Sequence, residues 1–249
     1  MTSSTPGTPS WVDLGTADLA DAERFYTELF GWTSEVSGEY ITFCRNGRPV
    51  AGAGPLYGVG QPTAWSTYIG TDDADAVAAR VAAGGGKVLV PPFDVADQGR
   101  MAAFLDPGGA PFSVWQPWAM RGAELFDVPG ALTWNELNTR DLDGSMAFYQ
   151  AVFGWQFRNS RMDGVPYVVA KVRETPVCGI QPMVPELWPD DMGPHWMVYF
   201  AVHDCDTAAE HTLALGGRVL HRPRSLSIGR YAVLSDPQGG MFAVLAGNR

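Results

Sequence analysis

The sequence is poor in cysteine, in positive charge and in long apolar runs. Only three of its 249 residues are cysteines, an odd number without close spacing, which predicts reduced thiols and not a disulfide framework. Lysine and arginine number 17 against 27 acidic residues, and the net charge of −10 argues against nucleic acid or an anionic membrane as a partner. No apolar run reaches the length of a membrane span, and the start MTSSTPGTPS has neither the basic nor the apolar region of a signal peptide. We therefore expect a cytoplasmic protein, monomeric or homodimeric.

The sequence repeats itself along almost its whole length. The stretch WVDLGTADLADAERFYTELFGW, which begins at Trp11, returns as WNELNTRDLDGSMAFYQAVFGW from Trp134. Later stretches match in the same order, among them GRMAAFLDPGGAPFSVW and GRYAVLSDPQGGMFAVL. Such self-similarity predicts two homologous domains in tandem. The predicted divisions are a flexible tail over 1–10, a first domain over 11–118, a linker over 119–131 and a second domain over 132–249.

Each half divides again into two units with the same order of elements. A short strand is predicted at Trp11, and apolar residues at helical spacing predict a following helix that Asp18 caps and Gly31 ends. Three strand-like runs come next, and the series starts again at Trp65. The order β-α-β-β-β is thus predicted four times in an α+β fold, with modules at about 11–57, 64–118, 132–184 and 194–247.

Two motifs of the repeat resemble a known superfamily. Both halves carry D-L-x(5)-F-Y-x(3)-F-G-W on the first helix and D-P-x-G-x-x-F before the last strand. With four βαβββ modules, they resemble the vicinal oxygen chelate superfamily, the glyoxalase, bleomycin-resistance and extradiol dioxygenase group, in its two-domain form. The resemblance implies that pairs of modules curl their sheets into half-barrel cups, in which a ligand or metal ion sits.

The resemblance also implies where metal ligands would stand, namely at fixed strand positions that hold His, Gln or Glu in the enzymes. Three of these positions hold Trp11, Ser66 and Ser113 in the first half and Trp134, Met197 and Ala243 in the second. A fourth falls near Gly54 and Gln181, and only Gln181 is a suitable ligand. A divalent ion needs several N or O donors that project into one space. We therefore expect no metal ion and no other cofactor.

The same positions indicate which side chains face the cups, because side chains alternate along a strand. The cup-facing rows are largely aromatic with a few polar groups, which is typical of a small-molecule site. The predicted ligand-binding residues are Trp11, Asp13, Ser66, Tyr68, Trp115, Trp134, Asn138, Gln181, Met197 and Tyr199. The same aromatic rows also fit an ordinary core, and Asp13 could be a structural carboxylate bonded to neighbouring backbone.

Glu136 and His195 share these rows and are candidate acid-base catalysts, since burial would raise the pKa of the carboxyl group. The alternatives are a structural role for Glu136 and a place at the rim for His195. His221, at a predicted strand end, is expected to be solvated. Because the second half has the richer polar set, we expect the functional pocket there.

Three functions fit these residues. The first is a protein that binds a small aromatic or hydrophobic molecule in a cup, without the usual metal site. The second is a metal-independent isomerase, cyclase or lyase that uses Glu136 and His195 as acid and base. The third, weaker, is a metal-dependent dioxygenase or glyoxalase with the non-standard ligands Glu136, Gln181 and His195.

Overall fold

The computed structural model describes residues 5–56, 58, 60–185 and 188–247. Domain 1 consists of β1 (Pro9–Thr16), α1 (Leu19–Phe30), β2 (Thr33–Ser37), β3 (Tyr40–Arg45), β4 (Arg48–Pro55), β5 (Ala64–Gly70), α2 (Ala74–Ala83), β6 (Lys87–Val95), β7 (Gly99–Leu105) and β8 (Pro111–Pro117). Domain 2 consists of β9 (Leu132–Thr139), α3 (Leu142–Phe153), β10 (Gln156–Met162), β11 (Val165–Val172), β12 (Thr175–Pro182), β13 (His195–Ala201), α4 (Cys205–Ala214), β14 (Arg218–Leu226), β15 (Gly229–Ser235) and β16 (Met241–Gly247). The order β-α-β-β-β therefore occurs four times, and the predicted α+β fold is confirmed.

The helices begin and end where local chemistry requires. Asp18, Asp73, Asp141 and Asp204 each precede a helix, and each carboxylate accepts a hydrogen bond from the backbone N–H three residues on. Helix α1 ends at Gly31, whose φ of 67° is a left-handed conformation that glycine adopts without strain. No helix in the described part of the chain is long and apolar enough to cross a membrane.

Each domain forms one eight-stranded sheet of its own. The strand orders are β2-β3-β4-β1-β5-β8-β7-β6 and β10-β11-β12-β9-β13-β16-β15-β14. Antiparallel pairing of β1 with β5, and of β9 with β13, joins the two modules of the same half. Within each module the first strand is parallel to the fourth, for example β1 to β4. The two cups therefore lie one in each half, a point on which the sequence alone gave no answer.

The hydrophobic core lies between the backs of the two sheets. One buried cluster joins α1 and the strands of the first module to α4 and the strands of the fourth. A second cluster joins the second module to the third, with α2 beside α3. Thr67 on β5 donates a hydrogen bond to Asn135 on β9 at 2.9 Å across this interface. The opposite face of each sheet is thus left to form a cup.

The chain before β1 is packed against both domains. Strand β1 begins at Pro9, and Thr8 and Ser10 are buried. The indole of Trp155 in domain 2 donates to the carbonyl of Gly7 at 2.7 Å. The prediction of a flexible tail over 1–10 is therefore wrong for residues 7–10, because the hydroxyls of Thr8 and Ser10 donate to backbone carbonyls of the first half and the carbonyl of Gly7 is bonded to the second domain. Residues 1–4 lie outside the described residues.

Candidate functional site

A network of tryptophan, tyrosine and carboxylate lies on the cup face of domain 1. The indole of Trp11 donates to the hydroxyl of Tyr40 at 3.0 Å. The hydroxyls of Tyr40 and Tyr68 in turn donate to Oδ2 of Asp13, at 3.4 and 2.9 Å. Three strands that are distant in sequence, β1, β3 and β5, thus meet at one carboxylate.

Domain 2 repeats this network around Glu136. The indole of Trp134 donates to the hydroxyl of Tyr167 at 2.9 Å, and the hydroxyl of Tyr199 donates to Oε1 of Glu136 at 3.0 Å. Tyr167 also hydrogen-bonds to Glu136. Glu136 is only 7% exposed. The duplication has therefore preserved in each cup a carboxylate held by two tyrosines, half-buried at Asp13 and buried at Glu136.

Glycines on the neighbouring strands make room for the two network tyrosines that the sequence analysis missed. A Cβ on Gly52 would lie 2.0 Å from the hydroxyl of Tyr40, and one on Gly179 would lie 1.8 Å from that of Tyr167. Both repeats place a tyrosine early in the third strand and a glycine on the fourth. This repeated combination of a tyrosine on one strand and a glycine on the next is the feature of the sequence from which the network could have been predicted.

Burial changes the acidity of both carboxyl groups. It raises the pKa of Asp13 to about 6, although the hydrogen bonds from Tyr68 and Tyr40 favour the ionised form. It also raises the pKa of Glu136, against the hydrogen bonds from Tyr167 and Tyr199. Each cup thus holds a carboxyl group that is a weaker acid, and so a stronger base, than an exposed one.

The domain 1 cup is filled by the linker that follows it. Trp11, Tyr68 and Trp115 form one buried cluster with Ala123, and Met120 packs against it. The indole of Trp115 donates to the carbonyl of Met120 at 2.8 Å. The structure thus places these three aromatic residues in a packed core. Their predicted part in ligand binding, like that of Ser66 opposite Asp13, stays a prediction.

The domain 2 cup contains a cavity of about 260 Å³. The predicted site residues among its lining are Trp134, Glu136, Gln181 and Tyr199. The residues that the sequence analysis did not single out for this cavity are Met162, Val165, Tyr167, Trp188, His221, Arg224, Leu226, Ile228, Tyr231 and Leu245. The functional pocket was expected in this half, where this cavity lies, and that expectation stays a prediction.

Three further predicted residues lie beside this cavity and do not line it. His195 packs its ring edge-on against Trp188, with centroids 5.5 Å apart, and its Nδ1 lies 3.0 Å from the carbonyl of Gly193. Burial lowers the pKa of His195, and its Nε2 is buried without a hydrogen-bond partner among the described residues. Asn138, opposite His195 in the sheet register, is 1% exposed, and its amide makes no hydrogen bond of normal geometry within the described part of the chain. Met197, 3% exposed, lies opposite Glu136.

Comparison with known proteins fits this architecture. Residues 8–114 match the family described as Glyoxalase/Bleomycin resistance protein/Dioxygenase superfamily, and residues 134–245 match the Glyoxalase-like domain. The anthracycline biosynthesis protein DnrV of Streptomyces peucetius is 41% identical over 264 residues, which cover 98% of this chain and 95% of DnrV. The chain belongs to the glyoxalase/bleomycin resistance/dioxygenase superfamily. The resemblance seen in the repeated motifs is thereby confirmed.

Other members of this superfamily extend the likeness. CFP32 of Mycobacterium bovis, a protein given a provisional glyoxylase name, is 44% identical over 253 residues, which cover 96% of this chain and 94% of CFP32. The Mn(II)-bound glyoxalase from Novosphingobium aromaticivorans has a structure similar to this one with a TM-score of 0.68, covering 97% of this chain and 82% of that enzyme. At 16% identity, this likeness shows the fold alone.

The residues of the domain 2 cup do not fit the metal site expected in superfamily enzymes. Of the corresponding positions, Trp134 donates its indole N–H to Tyr167, and Met197 and Ala243 carry no N or O donor. No cluster of three or more His, Cys, Asp and Glu side chains suited to a metal ion is found within the described ranges. Of the non-standard set, Glu136 and Gln181 line the cavity and His195 does not.

Proposed function

We propose that this superfamily member binds a small aromatic or largely apolar molecule in the domain 2 cup, without a metal ion. The observation that carries the proposal is the lining of the 260 Å³ cavity, which combines aromatic walls with one carboxyl group, that of Glu136. Its aromatic residues are Trp134, Tyr167, Trp188, Tyr199 and Tyr231. Such walls favour flat ligands through offset stacking.

The relatives support this class of ligand. DnrV is named for anthracycline biosynthesis, and anthracyclines are built on fused aromatic rings. Fused rings are flat and largely apolar, so they match the walls of the cavity better than a flexible polar metabolite would. Three of the four metal-ligand positions hold Trp134, Met197 and Ala243, and this supports binding without an ion.

A second candidate function is metal-independent proton transfer on the bound molecule, as in an isomerase, cyclase or lyase. The observation that favours it is Glu136, a buried carboxyl group of raised pKa that lines the cavity and can accept a proton from a ligand. His195 does not line the cavity, so this candidate rests on Glu136 as the base.

One pair of variants tests both functions. Flat aromatic probes such as anthraquinone derivatives are titrated against the wild type, Glu136→Gln and Asp13→Asn, with tryptophan fluorescence and calorimetry as the readouts. We expect binding to the wild type, a change in affinity of less than about 10-fold in Glu136→Gln, and no change in Asp13→Asn, whose cup is filled by the linker. Loss of turnover of a bound compound in Glu136→Gln, with binding retained, would establish the enzymatic alternative.

Metal analysis of the purified protein completes the test. We expect no stoichiometric divalent ion. A bound ion that is lost when Glu136 or Gln181 is substituted would overturn the metal-free part of the proposal, and failure of every flat probe to bind would overturn the proposal itself.

A further inference from the structure

The mouths of the two cups carry different residues at matching positions. In domain 2, His221 and Arg224 on β14 line the cavity. Strand β14 pairs with β15 in domain 2 as β6 pairs with β7 in domain 1, and both pairs have register irregularities at matching places. The register therefore shows which residues of β6 correspond to His221 and Arg224. They hold Val90 and Phe93, which are 38% and 44% exposed. The duplication has thus placed an imidazole and a guanidinium at one mouth and two apolar side chains at the other.

Within the part of the chain that the structure describes, the guanidinium of Arg224 takes part in no ion pair. Arg100 and Arg230 form ion pairs with nearby carboxylates, at 2.9 Å with Asp75 and 2.6 Å with Asp206. Within the described ranges no carboxylate lies within ion-pairing distance of Arg224. Its charge is therefore available at the mouth of the cavity.

Among the described residues, two carboxylates act on Tyr231 beside this mouth, those of Glu136 and Asp163. Burial raises the pKa of Tyr231, the charge of Arg224 lowers it, and Glu136 and Asp163 raise it again. All three charges are therefore close enough to act on the Tyr231 hydroxyl, with Glu136 deeper in the cup. The carboxylate of Asp163, between β10 and β11, accepts a hydrogen bond at 3.4 Å from the backbone N–H of Ser227, between β14 and β15. Among the described residues that line the cavity, Arg224 is the only lysine or arginine.

The strand that carries Arg224 is basic along its length, although the protein is acidic. Strand β14 reads RVLHRPRSL, with three arginines, one histidine and no acid, whereas β6 reads KVLVPPFDV. The net charge of the whole chain is −10. A local positive strand at a cavity mouth attracts anions that the rest of the surface repels.

We propose that the ligand of the domain 2 cup is a flat aromatic anion, oriented with its negatively charged oxygen group on Arg224 at the mouth and its rings between the aromatic walls. The inference rests on the proposed function and adds the charge and the orientation of the ligand. Glu136 fixes the orientation, because the negative group of the ligand would be repelled by the Glu136 carboxylate deep in the cup. The same group is attracted to the guanidinium of Arg224 at the mouth. Arg224 is then the residue that selects anionic ligands over neutral ones of equal shape.

Four naphthalene probes of similar size test this proposal. They are 2-naphthoate and 4-nitro-1-naphtholate as the carboxylate and phenolate anions, 2-naphthamide as the neutral compound, and 2-naphthylmethylammonium as the cation. Dissociation constants are measured for the whole protein at neutral pH and at two salt concentrations. We expect at least one anion to bind about 10-fold tighter than the amide, and the difference to shrink as salt rises.

Two variants on the same strand assign the effect. Arg224→Gln should remove the roughly 10-fold preference for the anion while the affinity for 2-naphthamide stays within about 2-fold. Arg222→Gln removes an exposed charge that does not line the cavity and should leave the preference unchanged. The relative affinity of the two anions tells a carboxylate from a phenolate.

The outcomes separate this inference from the proposed function. Equal affinity for anions and amide, tighter binding of the ammonium compound, or a preference that survives Arg224→Gln would overturn the anion inference and leave binding in the cup intact. Absence of binding by all four probes would overturn both.

Discussion

The hydroxyl of Tyr26 donates a hydrogen bond to Oδ2 of Asp236 at 3.0 Å and so joins the first helix of domain 1 to the turn before the last strand of domain 2. The indole of Trp65 donates to the same hydroxyl at 2.9 Å. Tyr26 belongs to the F-Y motif of one half, and Asp236 to the D-P-x-G motif of the other. The two motifs that reveal the duplication are therefore bonded to each other across the domain interface.

Removal of this hydroxyl should destabilise the protein. In Tyr26→Phe the buried Asp236 and Trp65 each lose a partner, so we expect a loss of about 1 to 3 kcal/mol in the free energy of unfolding, measured by urea denaturation. Tyr149→Phe should cost a similar amount, because Tyr149 donates to Asp106 at 3.2 Å in the same way. Ligand affinity should not change. Wild-type stability in both variants would refute a stabilising role for these bonds.

The carboxyl group of Asp13 should make stability fall with rising pH. Its pKa is about 6 in the folded protein against an ordinary 3.8, so the folded state retains a proton that the unfolded chain releases between these values. Stability present at low pH is therefore lost as pH rises from about 4 to about 6, by at most about 3 kcal/mol. Asp13→Asn cannot ionise, and its stability relative to the wild type should rise by up to this amount between pH 4 and pH 7.5.

Urea denaturation at a series of pH values checks this, with Asp191→Asn as the control for loss of an exposed carboxylate. A stability difference between Asp13→Asn and the wild type that does not change with pH would contradict the prediction.

The size of the side chain at one matching position should decide whether each cup is filled. Leu245 lines the domain 2 cavity and occupies the register position that Trp115 has in domain 1. Leu245→Trp should fill much of the cavity and weaken the binding of flat probes at least about 10-fold, with little effect on stability. Trp115→Leu should leave a hole under the linker and cost about 2 to 4 kcal/mol of stability, with unchanged probe binding. Unchanged affinity in Leu245→Trp would place the binding site elsewhere.

A single methyl group should disrupt the network around Glu136. In Gly179→Ala the new Cβ would lie 1.8 Å from the Tyr167 hydroxyl, so the tyrosine must move away from Glu136 and Trp134. We expect weakened probe binding and an altered near-ultraviolet circular dichroism spectrum. Gly193→Ala is the matched control, because no side chain or distant backbone atom lies within 4 Å of a Cβ there. Normal binding by Gly179→Ala would show that the network does not shape the cavity.

The order of helices and strands could be predicted from the sequence, because the signals that define each of them lie within the element or next to it. The caps at Asp18 and Gly31 and the apolar spacing between them define α1 without reference to any other part of the chain. Strand alternation likewise placed Asp13 and Glu136 on the cup faces, where both now appear in hydrogen-bonded networks.

The remainder of the site depends on pairings between distant strands. Strand β12 lies between β11 and β9, and Tyr167 on β11 reaches Glu136 on β9 only because Gly179 on β12 leaves room for its side chain. His221 was expected to be solvated at a strand end; it is exposed, but it lies within β14 beside a register irregularity and lines the cavity together with Arg224. The filling of the domain 1 cup by Met120 and Ala123 depends on the path of a linker without a periodic pattern.

The backs of the two sheets are buried against each other, so one half of the repeat is not an independent folding unit. Each hydrophobic cluster takes one module from each half, so a half expressed alone would expose an apolar face as wide as a sheet. Because the interface is nearly the same from both sides, such a half could cover that face with a second copy of itself. The present chain therefore has the geometry of a symmetric dimer whose two subunits were joined end to end. Once joined, the two cups no longer had to be identical, and one could be closed while the other stayed open.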